Sequence, residues 1–288
     1  MPTTTTAPSP PPRRAVERPG ARPAVLAALL LLQPLPTPAA AAPSEPRPTV
    51  LLMTGLPLVW GEKGPFDPRS RPAAAYVELS ESFAFEPVDV LDSPSLARGR
   101  LLLLAQPQRL APAELAALDS WIRRGGRALI LTDPFLTWPS DLPPGDIRRP
   151  PPVGLLAPLL DHWRLRMDPP AEPGEAAARW EGRWVKLDSP GRFRSSSRDC
   201  AVAPQGWTAS CRIGRGEVRL VADADLLQDS LWRSADNPAV MGEWLDSLAG
   251  ARREPSRMPA GPAVAPVLAA LAAAALGAWL LLRRRRMR

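Results

Sequence analysis

The stretch RLLLLAQPQRLAPAELAALDSWIRRGGRALILTDP, residues 100–134, reads as strand, helix and strand. Residues 101–105 are wholly apolar and residues 128–132 nearly so. Between them a segment opening at Pro112 carries Leu115, Leu118, Trp121 and Ile122 at helical spacing, until Gly125 and Gly126 stop it. Strands apolar on both faces belong to a parallel sheet buried between two layers, so the unit predicts a right-handed β-α-β crossover. Local chemistry agrees. Pro112 suits the first helical turn, Glu114 its positive end, Arg123 and Arg124 its negative end, and Gly125 the residue beyond the cap.

Upstream, residues 49–55 form a short apolar run closed by glycine, residues 73–83 can make a helix, and residues 85–91 read as a strand near an edge because they hold Pro87. A first β-α-β therefore precedes the second, the alternation of a doubly wound sheet. Downstream of a Pro-rich passage at 138–152, residues 153–163 read as a short helix. Residues 185–189, 200–203, 209–213 and 217–222 read as strands, the last two joined by Gly214-Arg215-Gly216. Asn237 and Pro238 are placed as N-cap and first residue of a closing helix with Met241, Trp244, Leu245 and Leu248 on its apolar face.

The formal charge of +7 is unevenly distributed: +3 over residues 1–43, −1 over 44–260 and +5 over 261–288. A near-neutral middle offers no broad phosphate-binding surface, which excludes nucleic acid as a partner. The ends have a topological reading instead. Residues 1–42 hold Arg13, Arg14, Arg18 and Arg22, then a short apolar core at 24–32 and small residues at 39–42, the order of a secretory signal. Residues 261–282 carry no charge and meet Arg283, Arg284, Arg285 and Arg286, which would orient the span with its tail in the cytoplasm. The expected organisation is thus a signal peptide at 1–42, a periplasmic α/β domain at 43–250, a linker at 251–260, a transmembrane helix at 261–282 and a basic tail at 283–288. Such a chain is a single-pass inner-membrane protein with its bulk in the periplasm. Cys200 and Cys211 flank a turn-like segment, and an exported compartment permits a disulfide between them; two unpaired thiols are the alternative.

The runs LAPAELAALDSWIRRGGRALILTDP, GRGEVRLVADADLL and DNPAVMGEWLDSL resemble the glutamine-amidotransferase-like exported domains of two related groups. One is the auxiliary component of gliding-motility-type ABC transport systems, the other a bacterial membrane-anchored family of unknown function. The resemblance covers about residues 49–248 and implies a flavodoxin-like, mainly parallel sheet with a β-rich C-terminal part. It also implies loss of the amidotransferase catalytic residues. A thiol nucleophile needs a cysteine on a tight strand-to-helix turn with a histidine base nearby. Neither cysteine has that context, His162 is the single histidine beside Trp163, and no Gly-x-Ser-x-Gly occurs.

Some residues retain a chemical reading beside a plainer one. Asp133 falls at the C-terminal end of a strand, the edge at which open α/β sheets bind ligands, or else shapes the turn before Pro134. Asp223, Asp225 and Asp229 follow the strand ending at Ala222, with Asp236 and Asn237 beyond. Their oxygens could bind Ca²⁺ or Mg²⁺, yet the spacing matches no calcium loop, no glycine stands at its turning position, and capping is the simpler account. The candidate ligand residues are Asp133, Asp223, Asp225 and Asn237, with no catalytic residue, metal or cofactor expected. Ten tryptophans could line a sugar groove, or anchor the core. The reading is a non-catalytic accessory or sensing component of an ABC-type transport or envelope complex, with a permease or other envelope protein as partner. A stand-alone ligand-binding module and a degenerate hydrolase using strand-end aspartates are the alternatives.

Overall fold

The structure is a computed structural model that describes residues 46–250. Its first half alternates strand and helix: β1 (Thr49–Thr54), α1 (Ala74–Ser82), β2 (Ala84–Pro87), α2 (Ser93–Ala97), β3 (Leu101–Ala105), α3 (Pro112–Arg123) and β4 (Arg127–Leu131). The second half is richer in strands. It runs α4 (Ala157–His162), β5 (Leu165–Asp168), β6 (Glu175–Trp180), β7 (Arg183–Asp188), β8 (Arg192–Ser195), β9 (Cys200–Val202), β10 (Thr208–Ile213) and β11 (Gly216–Val221). A 3-10 turn at Asp225–Leu227, then α5 (Asp229–Trp232) and α6 (Asn237–Ala249), complete it.

One sheet of seven strands, in the order β2-β1-β3-β4-β11-β10-β9, organises these elements. Its first five strands pair in parallel. β10 and β9 extend it antiparallel. The parallel part follows the order 2-1-3-4-5, which requires crossovers on both faces. Along β3 the side chains duly divide: Leu101, Leu103 and Ala105 join one core with α1, α5 and α6, and Leu102 and Leu104 join the other with α2, α3 and α4. All five residues are buried, which is why the strand shows no polar alternation.

α3 lies on that second face through Leu118, Trp121 and Ile122. Its entry is held by Glu114, whose Oε2 accepts from the Ala111 amide at 2.8 Å while Oε1 accepts from the Leu91 amide at 3.1 Å. Gly125, at φ +112°, takes the left-handed turn that ends it. β6 and β7 form a hairpin that covers the first core with Ala178, Val185 and Leu187, whereas β5 and β8 form a ribbon that covers the second with Leu165 and Phe193. Cys200 and Cys211, directly opposite in register, form a disulfide that ties the edge strand β9 to β10.

Several boundaries and assignments differ from expectation. Residues 88–91 are not part of β2, the helix expected at 153–163 is confined to α4, and α2, β5, β6 and β8 were not foreseen. Two expectations are corrected outright. Among the described residues no helix is long and apolar enough to cross a membrane. The longest described helix, α6 with 13 residues, rises about 20 Å at ~1.5 Å per residue, short of a hydrocarbon core of ~30 Å. The described fold is a mixed α/β domain with a mostly parallel seven-stranded sheet and a β-rich part, as expected, and the correction falls on the transmembrane helix that was to end it. The single-pass inner-membrane location with the bulk in the periplasm is corrected on the same ground. The expected signal at 1–42, span at 261–282 and Arg283, Arg284, Arg285 and Arg286 lie outside the described residues.

Close approach of β11 to α3 generates a test of this packing. A Cβ on Gly216 would sit 2.1 Å from the Ile122 carbonyl oxygen and 2.3 Å from that of Gly126, backbone atoms that no rotamer change can move. Gly216→Ala is expected to destabilise the domain by about 1–3 kcal/mol, measured as a lower urea midpoint. An unchanged midpoint would contradict this contact.

Candidate functional site

β4 and β11 are neighbours in register, with Leu131 beside Val221, so Asp133 and Asp223 leave the sheet side by side at its C-terminal edge. Both are fully buried, as are Asp225 and Asn237. The structure thus brings the expected residues together, but their oxygens face inward to the chain's own loops. Asp133 Oδ1 accepts from the Phe135 amide and Oδ2 from the Ala224 amide, each at 2.8 Å. Asp223 accepts from Leu226 and from Asp188, again at 2.8 Å. Asp225 Oδ2 accepts from the Thr137 amide at 2.7 Å and hydroxyl at 2.9 Å, and Oδ1 accepts from Gln228 Nε2 at 3.2 Å.

Asn237 differs from its expected role. It is the first residue of α6 after Asp236, and its side chain reaches the β6–β7 hairpin. Oδ1 accepts from the Lys186 amide and Nδ2 donates to the Lys186 carbonyl, both at 2.8 Å, with further donation to Leu226 at 3.2 Å. It docks the hairpin as a strand partner would. Among the described residues no group of three or more His, Cys, Asp or Glu is arranged to hold a metal ion.

The electrostatics follow from this enclosure. Burial, opposed by the Ala224 amide and reinforced by the charge of Asp225, pushes Asp133 up to about 7. Burial also raises Asp225 to about 6, and Asp188 adds to the shift. Asp223 is raised by burial and then by repulsion from Asp133 and Asp225. Accepted N–H bonds favour the ionised forms, so each carboxyl sits between two opposing demands.

In sheets of this order, ligands bind at the crevice where β1 and β3 send their connections to opposite faces. Here that crevice is filled. Gln106, the residue after β3, is fully buried at φ +42°. Its Oε1 accepts from the Asp133 amide at 2.8 Å, and its Nε2 donates to the Pro151 carbonyl at 2.9 Å and the Asp133 carbonyl at 3.2 Å. Pro151 closes on Gly55 from above: a Cβ on Gly55 would lie 3.2 Å from the proline ring and 2.4 Å from the Gln106 carbonyl oxygen. Sequence reading missed Gln106, Thr137 and Asp188. The available signal for Gln106 was a lone amide between an all-apolar strand and a proline.

The remaining candidates are structural. Asp119 accepts from Trp163 Nε1 at 2.8 Å and Arg123 Nε at 2.7 Å, and His162 Nε2 stands 3.6 Å away on the surface. Trp180, Trp207 and Trp244 pack with ring centroids 5.4–6.4 Å apart, joining the hairpin to α6. Trp207, Trp232 and Trp244 are buried, so they anchor the core.

Fold and site define a mixed α/β domain whose ligand edge is sealed by its own loops. Comparison with known proteins adds a family likeness: residues 47–178 match the model of a family described as an ABC-type uncharacterized transport system. That match agrees with the transport-auxiliary part of the resemblance seen in the sequence and leaves the amidotransferase part unaddressed. No curated protein matches the chain. Solved structures resemble it in part. The mmIFT52 N-terminal domain aligns with a TM-score of 0.46 at 12% identity, over 69% of this chain and 96% of that one. Cytoplasmic Protein STM1381 from Salmonella typhimurium LT2 aligns with a TM-score of 0.44 at 11% identity, over 69% and 99%. Exo-beta-1,4-mannosidase Op5Man5 from Opitutaceae bacterium strain TAV5 gives 0.43 at 16%, over 70% of this chain but only 36% of the enzyme. Likenesses this low carry no argument about activity.

Two tests follow from the geometry. Gln106→Leu keeps the volume but strands the Asp133 amide and the Pro151 carbonyl; a loss of about 2–4 kcal/mol is expected in urea unfolding, and a neutral result would show that the clamp is dispensable. The buried carboxyls set a pH trend. Their native proton affinities exceed the ordinary ~3.9 of unfolded Asp, so between pH ~4 and ~7 the native state keeps protons that the unfolded chain releases. Their contribution is therefore full below pH ~4 and is lost as pH rises towards ~7. Glu78 and Asp119, in which burial is outweighed by bonds from Arg233 and Arg123 respectively, titrate low and act under more acidic conditions. The urea midpoint should fall by an amount equivalent to ~1 kcal/mol or more from pH ~5 to ~7.5, and less steeply in Asp223→Asn. A flat or rising profile would refute the assignment.

Proposed function

We propose that this chain is a non-catalytic auxiliary component of an ABC-type transport system, acting by binding a protein partner. The observation that carries the reading is the sealed crevice: Gln106, Pro151 and the strand-end aspartates fill the place where a fold of this kind would hold a small ligand. The family match over residues 47–178 supplies the transport context. The chain lacks a Gly-x-x-x-x-Gly-Lys phosphate loop, so on this reading energy coupling belongs to another subunit.

The amidotransferase-like part of the resemblance fits the same picture. A nucleophile elbow uses a strained residue at a strand end with its side chain exposed. Gln106 has the strained φ of +42° directly after β3, but carries a buried amide bonded to backbone. A site of that ancestry would survive as a brace.

Binding then falls to exposed loops beyond the strand ends. Trp60 and Phe66 follow β1 and are 56% and 98% exposed, and Ile147 follows β4 and is 89% exposed. The two loops are tied where the Asp141 amide donates to Glu62 Oε2 at 3.0 Å. Large apolar side chains left in water on braced loops are the raw material of a protein interface.

Affinity capture of the full chain after in-cell crosslinking is expected to return an ATP-binding subunit carrying a phosphate-loop motif and its permease. Phe66→Asp with Ile147→Asp should lower recovery about tenfold, equivalent to ~1.4 kcal/mol, with an unchanged melting temperature. Recovery of no transport subunit would overturn the proposal.

A further inference from the structure

The β5–β8 ribbon has two unlike faces. Leu165 and Phe193 are buried in the second core, and the opposite face carries Arg164, Arg166, Arg192 and Arg194, all exposed. Arg166 and Arg194 stand directly opposite each other in the antiparallel register. Like charges at such a position repel, and a two-stranded ribbon has little stability to spare. One acid answers them on the ribbon: Asp168 pairs with Arg194. Arg164, Arg166 and Arg192 make no side-chain hydrogen bond or ion pair among the described residues.

Arg164 is also placed by strain. It sits at φ +60°, a conformation rare for residues other than glycine, and is fixed there by its amide donating to the Asp161 carbonyl at 2.9 Å and its carbonyl accepting from the Ser196 amide at 3.1 Å. The result is an open cavity of about 530 Å³ between the end of α4 and the ribbon, lined by Arg164, Arg166, Arg194, Ser195 and Ser196 with Asp161 at the side.

From this arrangement we infer a binding site for a soluble phosphate monoester on the outer face of the β5–β8 ribbon. A carboxylate would be satisfied by one guanidinium fork, whereas a phosphoryl dianion has oxygens enough to bridge the opposed Arg166 and Arg194 and to reach Arg164. Asp161 offers an acceptor to a hydroxyl of the group that bears the phosphate, while the Ser195 and Ser196 hydroxyls already donate to the Ser197 and Arg164 carbonyls and shape the wall. Bridging converts the cross-strand repulsion into attraction, so the anion would stabilise the ribbon it binds. The site is independent of the proposed transport role, since it uses neither the sealed crevice nor the exposed loops.

Calorimetric titration of the full chain with glycerol 3-phosphate, at an ionic strength of about 0.15 M, tests the assignment. A saturable single site is expected. Arg164→Ala with Arg166→Ala should weaken it about tenfold or more, and Arg166→Lys, which keeps the charge and loses the fork, severalfold. Arg148→Ala, removing a cation paired with Asp146 elsewhere, should leave affinity unchanged. No saturable binding at millimolar probe, or equal binding by Arg166→Lys and the double variant to that of the parent chain, would overturn the site. Sedimentation with phosphatidic acid vesicles without any response to glycerol 3-phosphate would overturn the soluble-ligand assignment.

Discussion

Parallel strands buried on both faces end in backbone groups that water cannot reach, and the way this chain satisfies them sets everything above its sheet. Each buried amide left without a partner would cost about 1–3 kcal/mol. Asp133 and Asp223 answer four amides between them, two of them buried, in Ala224 and Leu226, and two half-buried, in Phe135 and Asp188. The four lie on three different connections, so two neighbouring carboxyls stitch the β4 loop, the turn before α5 and the end of β7 to one point. Desolvating acidic groups is unfavourable, and their raised proton affinities express that cost. What offsets it is that each carboxyl gives partners to two backbone amides that would otherwise go unpaired.

That stitching has a functional consequence because it occupies the most chemically useful ground in the fold. Open α/β sheets ordinarily leave their strand-end crevice to ligands. In this chain Gln106 bonds across it to Asp133 and Pro151, and the Pro-rich loop lies on Gly55. A perturbed carboxyl in a cleft is a reasonable mark of an active site, but the same perturbation arises in a structural network. The distinction here is geometric. Every oxygen of Asp133 and Asp223 already has a backbone donor at 2.8 Å, so neither is aimed at open space.

How far the sequence discloses this depends on the range of the interactions. The β3-α3-β4 unit was legible because apolar runs, Pro112, Glu114 and Gly125 act within a dozen residues and agree with one another. The juxtaposition of Asp133 and Asp223 was legible too, since neighbouring parallel strands deliver their ends together. Their role was not, because it depends on amides up to 91 residues away. Asn237 shows the same limit: a good N-cap by local rule is drawn instead to Lys186, 51 residues back. β6, reading EAAARW, has the composition of a helix and becomes a strand only by pairing with β7 and burying Ala178. β5 and β8 escaped notice because alternate positions are arginine, and four-residue strands give the pattern too little length to register.

Those two ribbons also explain how a domain with a sealed edge can still present distinct surfaces. An open parallel sheet buries both its faces under helices, which leaves loops and additions as the places where chemistry can differ. The β6–β7 hairpin spends its addition on the core, through Ala178, Val185 and the contact of Trp180 with Trp244. The β5–β8 ribbon spends only Leu165 and Phe193 there and turns its arginines outward. Had the ribbon existed solely to cover the second core, opposed arginines would be a poor choice for its outer face, since almost any polar pair avoids the repulsion between Arg166 and Arg194. The outward face is therefore where this chain carries a charge pattern that packing does not account for.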